Sequence, residues 1–176
     1  MTRWAVLLKG LNIGGKRLPM PELKAFIEGL GFADVKTLLA SGNAVFSADE
    51  KDGAKLEAKI EKAAAEQLHL KTDWLVRDHA ELAVIVKANP FPDAAKAHPN
   101  HLLVHFHREE VPKALVADFT HGGPERLKAH GRELYVDYPE DVGHSKLPQA
   151  MAKAKFPKLA TARNWNTILK LVDLTA

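Results

Sequence analysis

The chain has 176 residues and a formal net charge of +3, from 25 Lys and Arg against 22 Asp and Glu. A chain of this length can bury about 70% of its unfolded surface in one domain or two small subdomains, without disulfide or metal staples. It contains no cysteine, which excludes a disulfide framework, a thiolate metal site and a cysteine nucleophile, and which favours a cytoplasmic location.

The first element is a short apolar run, Trp4 to Lys9, which predicts a buried central strand. It is too short for a signal peptide or a membrane span. The glycine-rich segment Gly10 to Lys16 then matches seven positions of the phosphate-loop pattern G-x-x-x-x-G-K. Arg17 replaces the Ser or Thr that would hold Mg²⁺, and two prolines follow where a helix would have to begin. We therefore predict either a plain turn or a loop that binds an anion through its N–H groups.

The rest of the first half alternates between helical and strand patterns. Apolar residues at helical spacing follow Pro21, and Gly31 suits the position just past a helix. Two strands come next, joined by a Ser-Gly-Asn turn, and Asp52 can cap a second helix before a fourth strand. The order βαββαβ predicts a ferredoxin-like subdomain over residues 1–88.

The second half begins after a capping box, Asp78 with Glu81, and a helix that ends at the proline-rich segment 89–92. A strand is predicted for His101 to His107, then a short helix and a hairpin around Gly131. Two closing helices complete the order αβαββαα over residues 89–176. The predicted fold is therefore α+β, with two ferredoxin-like α/β-sandwich subdomains packed together.

Two segments of the second half combine caps with cations. Thr161 to Thr167 is predicted to open the last helix, where Arg163, Asn164 and Asn166 lie near free N–H groups that stabilise anions. Capping by Thr161 or Asn164 is the alternative. In the other segment, Ser145 can cap a helix, while Lys146 places a cation at its positive end. An anion would relieve this conflict, and a lysine that extends into solvent is the alternative.

Histidines on the predicted strand are candidate metal ligands. His105 and His107 share one face, and His101 or His98 can supply a third ligand. No carboxylate recurs at ligand spacing, so imidazole alone is a weak signal, and a half-solvated strand face is the alternative. We predict no metal site.

Four motifs together resemble the uncharacterised domain-of-unknown-function family 1697. They are Leu7 to Gly15, Thr37 to Phe46, Gly143 to Leu147, and Thr161 to Thr167. The resemblance implies two ferredoxin-like α+β subdomains, and it brings no established activity, substrate or catalytic residue. Lys9 stands where the family usually has Arg, which removes a bidentate anion fork.

These observations suggest a ligand carrying phosphate or carboxylate, held in a cleft between the subdomains. The residues predicted to line it are Lys9, Asn12, Gly14, Gly15, Lys16, Ser41, Asn43, Ser145, Lys146, Arg163, Asn164 and Asn166. The alternatives are a nucleic-acid-binding module, and a structural or interaction protein in which the motifs are caps and turns. Whether the chain is an enzyme stays open, with His144 as the nearest acid–base candidate. No cofactor or membrane partner is predicted.

Overall fold

The computed structural model describes residues 1–9, 18–38 and 42–176. The chain divides into two compact units, Met1–Ala83 with Lys170–Ala176, and Val84–Leu169. Each unit contains a four-stranded sheet, and every neighbouring pair of strands is antiparallel. The predicted mixed α+β fold is confirmed.

The first unit has the predicted element order βαββαβ, and its sheet order is β2-β3-β1-β4. Its elements are β1 (Thr2–Leu8), α1 (Met20–Gly29), β2 (Ala33–Leu38), β3 (Asn43–Ala48), α2 (Gly53–Gln67) and β4 (Trp74–Asp78). Helix α3 (His79–Lys87) follows and runs across the boundary between the units along the chain.

Local caps explain where the first helices begin and end. The Asp52 carboxylate accepts a hydrogen bond from the Ala54 N–H at 3.0 Å, which satisfies a free donor at the start of α2. Asp78 and Glu81 form the predicted capping box, each side chain accepting from the other's backbone N–H, at 2.9 and 2.8 Å. Gly31 has a φ of +90°, so it ends α1 in a conformation that glycine adopts without strain.

The core of the first unit is apolar throughout the face of β1 that meets the helices. Trp4, Val6 and Leu8 alternate along the strand, and all three are fully buried. They pack in one cluster with Phe46 and Trp74 of the neighbouring strands and with the apolar stripes of α1 and α2. Ala5 and Leu7, on the opposite face of β1, are also fully buried, so the strand is covered on both faces, as its apolar run predicts.

The second unit repeats the strand order, because its sheet runs β6-β7-β5-β8. The elements are α4 (Pro92–Ala97), a 3-10 helix (Pro99–His101), β5 (Leu102–His107), α5 (Lys113–Asp118), β6 (Arg126–His130), β7 (Glu133–Asp137), α6 (Leu147–Lys153) and β8 (Leu159–Asn164). Helix α7 (Trp165–Thr175) follows β8, and its residues from Lys170 onward belong to the first unit. From β5 to β8 the order is again βαββαβ, although the chain shows no repeat at the level of sequence.

The prediction for the end of the chain was wrong in one respect. Residues 161–164 do not open the last helix; they belong to β8, which pairs antiparallel with β5. The helical period begins only at Trp165, and the buried stripe then continues through Ile168 and Leu171, while Leu169 is exposed. Residues 159–164 instead form an edge strand of the sheet that pairs with β5, and no local sequence signal reveals this pairing.

Candidate functional site

Among the described residues of the first unit, two are predicted ligand residues, and both form bonds within that unit. Lys9 follows β1 and forms an ion pair with Asp73, with 3.8 Å between Nζ and Oδ2. Asn43 is fully buried in β3, where its Nδ2 donates to the Leu38 carbonyl at 3.1 Å across the β2–β3 turn. The predicted residues Asn12, Gly14, Gly15, Lys16 and Ser41 lie outside the described residues.

The three candidates of the last motif take separate roles at the end of β8. Arg163 is 7% exposed, and its Nη1 donates to the Thr161 hydroxyl at 2.6 Å and to the Ala162 carbonyl at 2.7 Å. Burial lowers the pKa of Arg163 to about 10. Asn164 caps α7, since its Oδ1 accepts from the Thr167 N–H at 3.0 Å. Asn166 donates to the side chain of Asn100 at 2.7 Å.

The Gly143–Leu147 motif forms the turn before α6. Ser145 was predicted as the N-cap of this helix, but the N-cap position is held by Lys146. Ser145 Oγ still accepts from the N–H of Leu147, the first residue of α6, at 3.1 Å, and so satisfies one free donor of the helix start. The same hydroxyl donates to the carboxylate of Glu125, on the segment that precedes β6. Ser145 therefore joins two segments that are 20 residues apart along the chain.

This turn borders a pocket of 530 Å³, which we call the Ser145 pocket. Its walls come from the glycine-rich segment before β6, the end of β7 and the start of α6. The lining residues are His121, Gly122, Gly123, Pro124, Glu125, Tyr138, Pro139, Glu140, Asp141, His144, Ser145, Lys146, Leu147 and Ala150. Of the predicted ligand residues that the structure describes, Ser145 and Lys146 are the two that line it.

Glu125 supplies the polar floor of the Ser145 pocket. Its side chain is 6% exposed, and its Oε2 lies 3.4 Å from His121 Nε2, without the geometry of a hydrogen bond. Burial raises the pKa of Glu125, but the hydrogen bond from Ser145 and the His121 imidazole outweigh it, so the pKa is lowered overall. The charge of Glu125 and burial together raise the pKa of Tyr138 to about 12, so Tyr138 stays a neutral phenol.

His121 and Glu125 are not among the residues that were predicted from the sequence. The signal was the segment His121-Gly-Gly-Pro-Glu125, a loop whose glycines permit close approach of the backbone. A Cβ atom added to Gly123 would lie 2.2 Å from Glu125 Oε2. Gly123 therefore allows the loop to close over a carboxylate that Ser145 holds in place.

The rim of the pocket carries exposed charges. His144 Nδ1 and Asp141 Oδ2 form a close pair, and the side chain of His144 is 91% exposed. The hydrogen bond to Asp141 raises the pKa of His144, and the same bond lowers the pKa of Asp141. Lys146 is exposed on the neighbouring position. The rim therefore offers one permanent cation and an imidazole that protonates readily.

A second polar cluster surrounds Asp137, the last residue of β7, and has a structural explanation. Asp137 is 2% exposed; one oxygen contacts His98 Nε2 at 2.6 Å, and the other accepts from Arg126 Nε at 2.9 Å. Arg126 also contacts Asp93 at 2.9 Å and lies over the ring of Phe91. These bonds join α4 and the residue after it to β6 and β7, so the charges are paired within the fold.

The histidines of β5 correct the expectation of a half-solvated face. His105 is 7% and His107 is 1% exposed, whereas His101 lies in the 3-10 helix and not in the strand. The His107 Nδ1–H donates to the Lys158 carbonyl at 3.1 Å. Within residues 1–9, 18–38 and 42–176, no group of three or more His, Cys, Asp or Glu side chains is placed to hold a metal ion.

Comparison with known proteins decides the family. A family profile described as "Protein of unknown function (DUF1697)" matches residues 1–135. The chain belongs to this family. The matched part of this DUF1697 protein includes His121 and Glu125, while the Ser145 turn lies beyond it. No curated protein matches the sequence significantly.

A solved structure resembles this DUF1697 protein over its whole length. It is described as the structure of conserved bacterial protein SP0830 from Streptococcus pneumoniae, with a TM-score of 0.75, 20% sequence identity and coverage of 99% of each chain. At this identity the likeness concerns the fold. In the described part of the chain, no helix has the length and apolar character needed to cross a membrane.

Proposed function

We propose that this protein binds, in the Ser145 pocket, a small molecule that carries a phosphate or carboxylate group at one end and a hydrogen-bond donor at the other. The observation that supports the proposal is the covered, ionised carboxylate of Glu125 at the floor of a pocket with Lys146 at its rim. A binding site of this kind is concave, mostly apolar and polar at a few fixed points.

The two ends of the ligand follow from the two signs of charge. The negative potential of Glu125 favours the end that bears N–H or ammonium donors, because charges interact strongly where water is excluded. Lys146, with His144 beside it when protonated, favours the anionic end. A purely anionic molecule would be attracted by Lys146 but repelled by Glu125, so we expect the tightest binding from a molecule that carries both groups.

The proposed site lies within the second unit. Arg163 is buried and bonded to its own strand, Lys9 is paired with Asp73, and Asn43 holds a backbone carbonyl, so these side chains have structural roles where they lie. We further class both units as ferredoxin-like, on the basis of the shared order of elements and strands. A cytoplasmic location, based on the absence of cysteine, stays a prediction.

The test uses O-phosphoethanolamine, which carries an ammonium and a phosphate, against its two halves, ethanolamine and inorganic phosphate. Titration calorimetry at low salt should give an affinity for the whole molecule above that for either half. Lys146→Ala should weaken binding of O-phosphoethanolamine and of phosphate about tenfold, which corresponds to about 1.4 kcal/mol. Glu125→Gln should weaken binding of O-phosphoethanolamine and of ethanolamine while sparing phosphate.

Lys153→Ala is the matched control, since Lys153 is an exposed lysine at the end of α6 that does not line the Ser145 pocket. Its affinities should equal those of the wild type. Equal losses in Lys146→Ala and Lys153→Ala, removed by added salt, would indicate nonspecific charge attraction and count against the proposal. If none of the three molecules binds, that result counts against the proposal as well.

A further inference from the structure

A second pocket of 430 Å³, which we call the α6 pocket, lies between the sheet and the other side of α6. Its lining residues are His105, His107, Tyr138, Pro148, Met151, Ala152, Phe156, Pro157 and Lys158. Tyr138 also lines the Ser145 pocket, but the remaining residues differ. The volume lies within the range of about 300–1,000 Å³ that is typical of small-molecule sites.

The walls of the α6 pocket are apolar and partly held by packing. Met151 and Phe156 pack against the core cluster of the second unit. The ring of Phe156 meets Phe119 of the segment after α5 edge to face, with centroids 5.1 Å apart and an interplanar angle of 86°. Such contacts between aromatic rings stabilise a defined wall, while a methionine can adapt to what it faces.

His105 is the polar group that this packing leaves unexplained. Its Nδ1 is enclosed by the fold and has no hydrogen-bond partner among the described residues, whereas its Nε2 is not enclosed in this way. Burial and the neighbouring His107 lower the pKa of His105 to about 4, so the ring is uncharged at neutral pH. A neutral imidazole offers one N–H donor and one acceptor nitrogen.

We propose that the α6 pocket binds an uncharged apolar molecule with a single hydroxyl group, which hydrogen-bonds to the imidazole of His105. A hydroxyl both donates and accepts, so it matches a neutral imidazole in either tautomer. An ionised ligand is disfavoured, because Lys158 is the one charged residue lining the pocket and its side chain is exposed. Since Nδ1 has no accessible surface, we expect the contact at Nε2.

The experiment compares p-cresol with toluene, which has the same ring and methyl group but no hydroxyl. Both are titrated into the full-length ¹⁵N-labelled protein, and amide and imidazole shifts are followed by NMR. For p-cresol we expect shifts in the residues of the α6 pocket and in an imidazole nitrogen of His105. Toluene should bind at the same place about tenfold more weakly, since it lacks one hydrogen bond.

Three variants locate the site. His105→Leu keeps a side chain of similar size and should reduce p-cresol to the affinity of toluene. Ala152→Trp, at an exposed lining position, should abolish binding of both, while Ala114→Trp, at an exposed alanine of α5 outside the lining, should change neither. Should His105→Leu fail to fold, the imidazole shift and the tryptophan pair still decide the question.

Several results would overturn the proposal. They are an absence of p-cresol binding up to its solubility limit, equal affinities for p-cresol and toluene in the wild type, an unchanged ratio of the two in His105→Leu, and unchanged p-cresol binding in Ala152→Trp.

Discussion

The two units share one strand order but differ in what the central strand presents to the helices. In the first unit β1 presents Trp4, Val6 and Leu8, all fully buried in an apolar cluster. In the second unit β5, at the same place in its sheet, has two buried histidines, His105 and His107, on the face that borders the α6 pocket. One unit therefore fills this layer with hydrocarbon, and the other places polar groups and space there.

Because of this difference, the two strands contribute differently to the free energy of folding. Full burial of each large apolar side chain on β1 contributes roughly 1.5–3 kcal/mol to folding. A buried imidazole contributes less and costs free energy wherever its nitrogens lack partners. Polar groups that reduce stability are expected at sites of function, so the second unit is where we place both proposed ligands.

The largest expected effect comes from transferring the polar residue to the apolar strand. Val6→His would bury an imidazole between Ala44 and Val76 in a filled core, and we expect it to lower the free energy of unfolding by about 4 kcal/mol. The converse change, His105→Leu, should raise it by about 1 kcal/mol, because it removes an unsatisfied polar atom. Urea unfolding at pH 7 measures both.

Changes of equal size and sign in the two variants would show that the two strands do not differ as the structure indicates. Val6→Ile, which is apolar, serves as the control for crowding in the first unit.

The first unit was predictable from sequence because its signals are local. Helix ends are marked there by capping residues that act within four positions along the chain. These are Asp52, the Asp78–Glu81 capping box and Gly31. Strand β8 was not predictable, since its pairing with β5 joins residues more than 50 positions apart, and a motif containing Thr and Asn imitates a helix start.

The same contrast between local and long-range signals applies to the candidate site. Ser145 and Lys146 could be proposed from the sequence because their signals are local. A serine just before an apolar stripe can cap a helix, and a lysine beside it places a cation at the positive end of that helix. Glu125 was missed because its role depends on contact with Ser145, 20 residues away. The burial of His105 and His107 likewise depends on α6, which a strand pattern alone does not contain.

A pH effect should also distinguish the two strands. The pKa of His105 is about 4 in the folded protein, below its ordinary value of 6.5, so the unfolded chain binds the proton first as pH falls. The stability that depends on neutral His105 is complete above pH 6.5 and is lost toward pH 4. Between pH 7 and pH 5 the wild type should lose about 2 kcal/mol more than His105→Leu.

Urea unfolding at both pH values, on wild type and His105→Leu, gives this difference directly. Parallel pH dependence in the two proteins would mean that His105 titrates normally, and the account of a buried neutral imidazole would then fail.

A smaller effect is expected at the Ser145 pocket. Gly123→Ala places a methyl group where Glu125 Oε2 now lies, so the carboxylate must move away from Ser145 and His121. We expect a loss of about 1–2 kcal/mol in the free energy of unfolding, together with weaker binding of O-phosphoethanolamine. Gly122→Ala is the matched control for stability, because a Cβ atom there meets nothing within 4 Å. Similar losses in both variants would indicate loss of loop flexibility instead.

The smallest effect concerns the helix caps, which also differ between the units. Asp52 caps α2 in the first unit, and Asn164 caps α7 from the end of β8. Alanine at either position should cost about 1 kcal/mol, whereas Asn164→Asp should keep the stability of the wild type, since Asp and Asn cap equally well. An anion bound at Asn164 would be repelled by the new carboxylate. Unchanged phosphate and O-phosphoethanolamine affinities in Asn164→Asp would therefore identify Asn164 as a cap alone, and a loss of affinity without a loss of stability would return it to the ligand site.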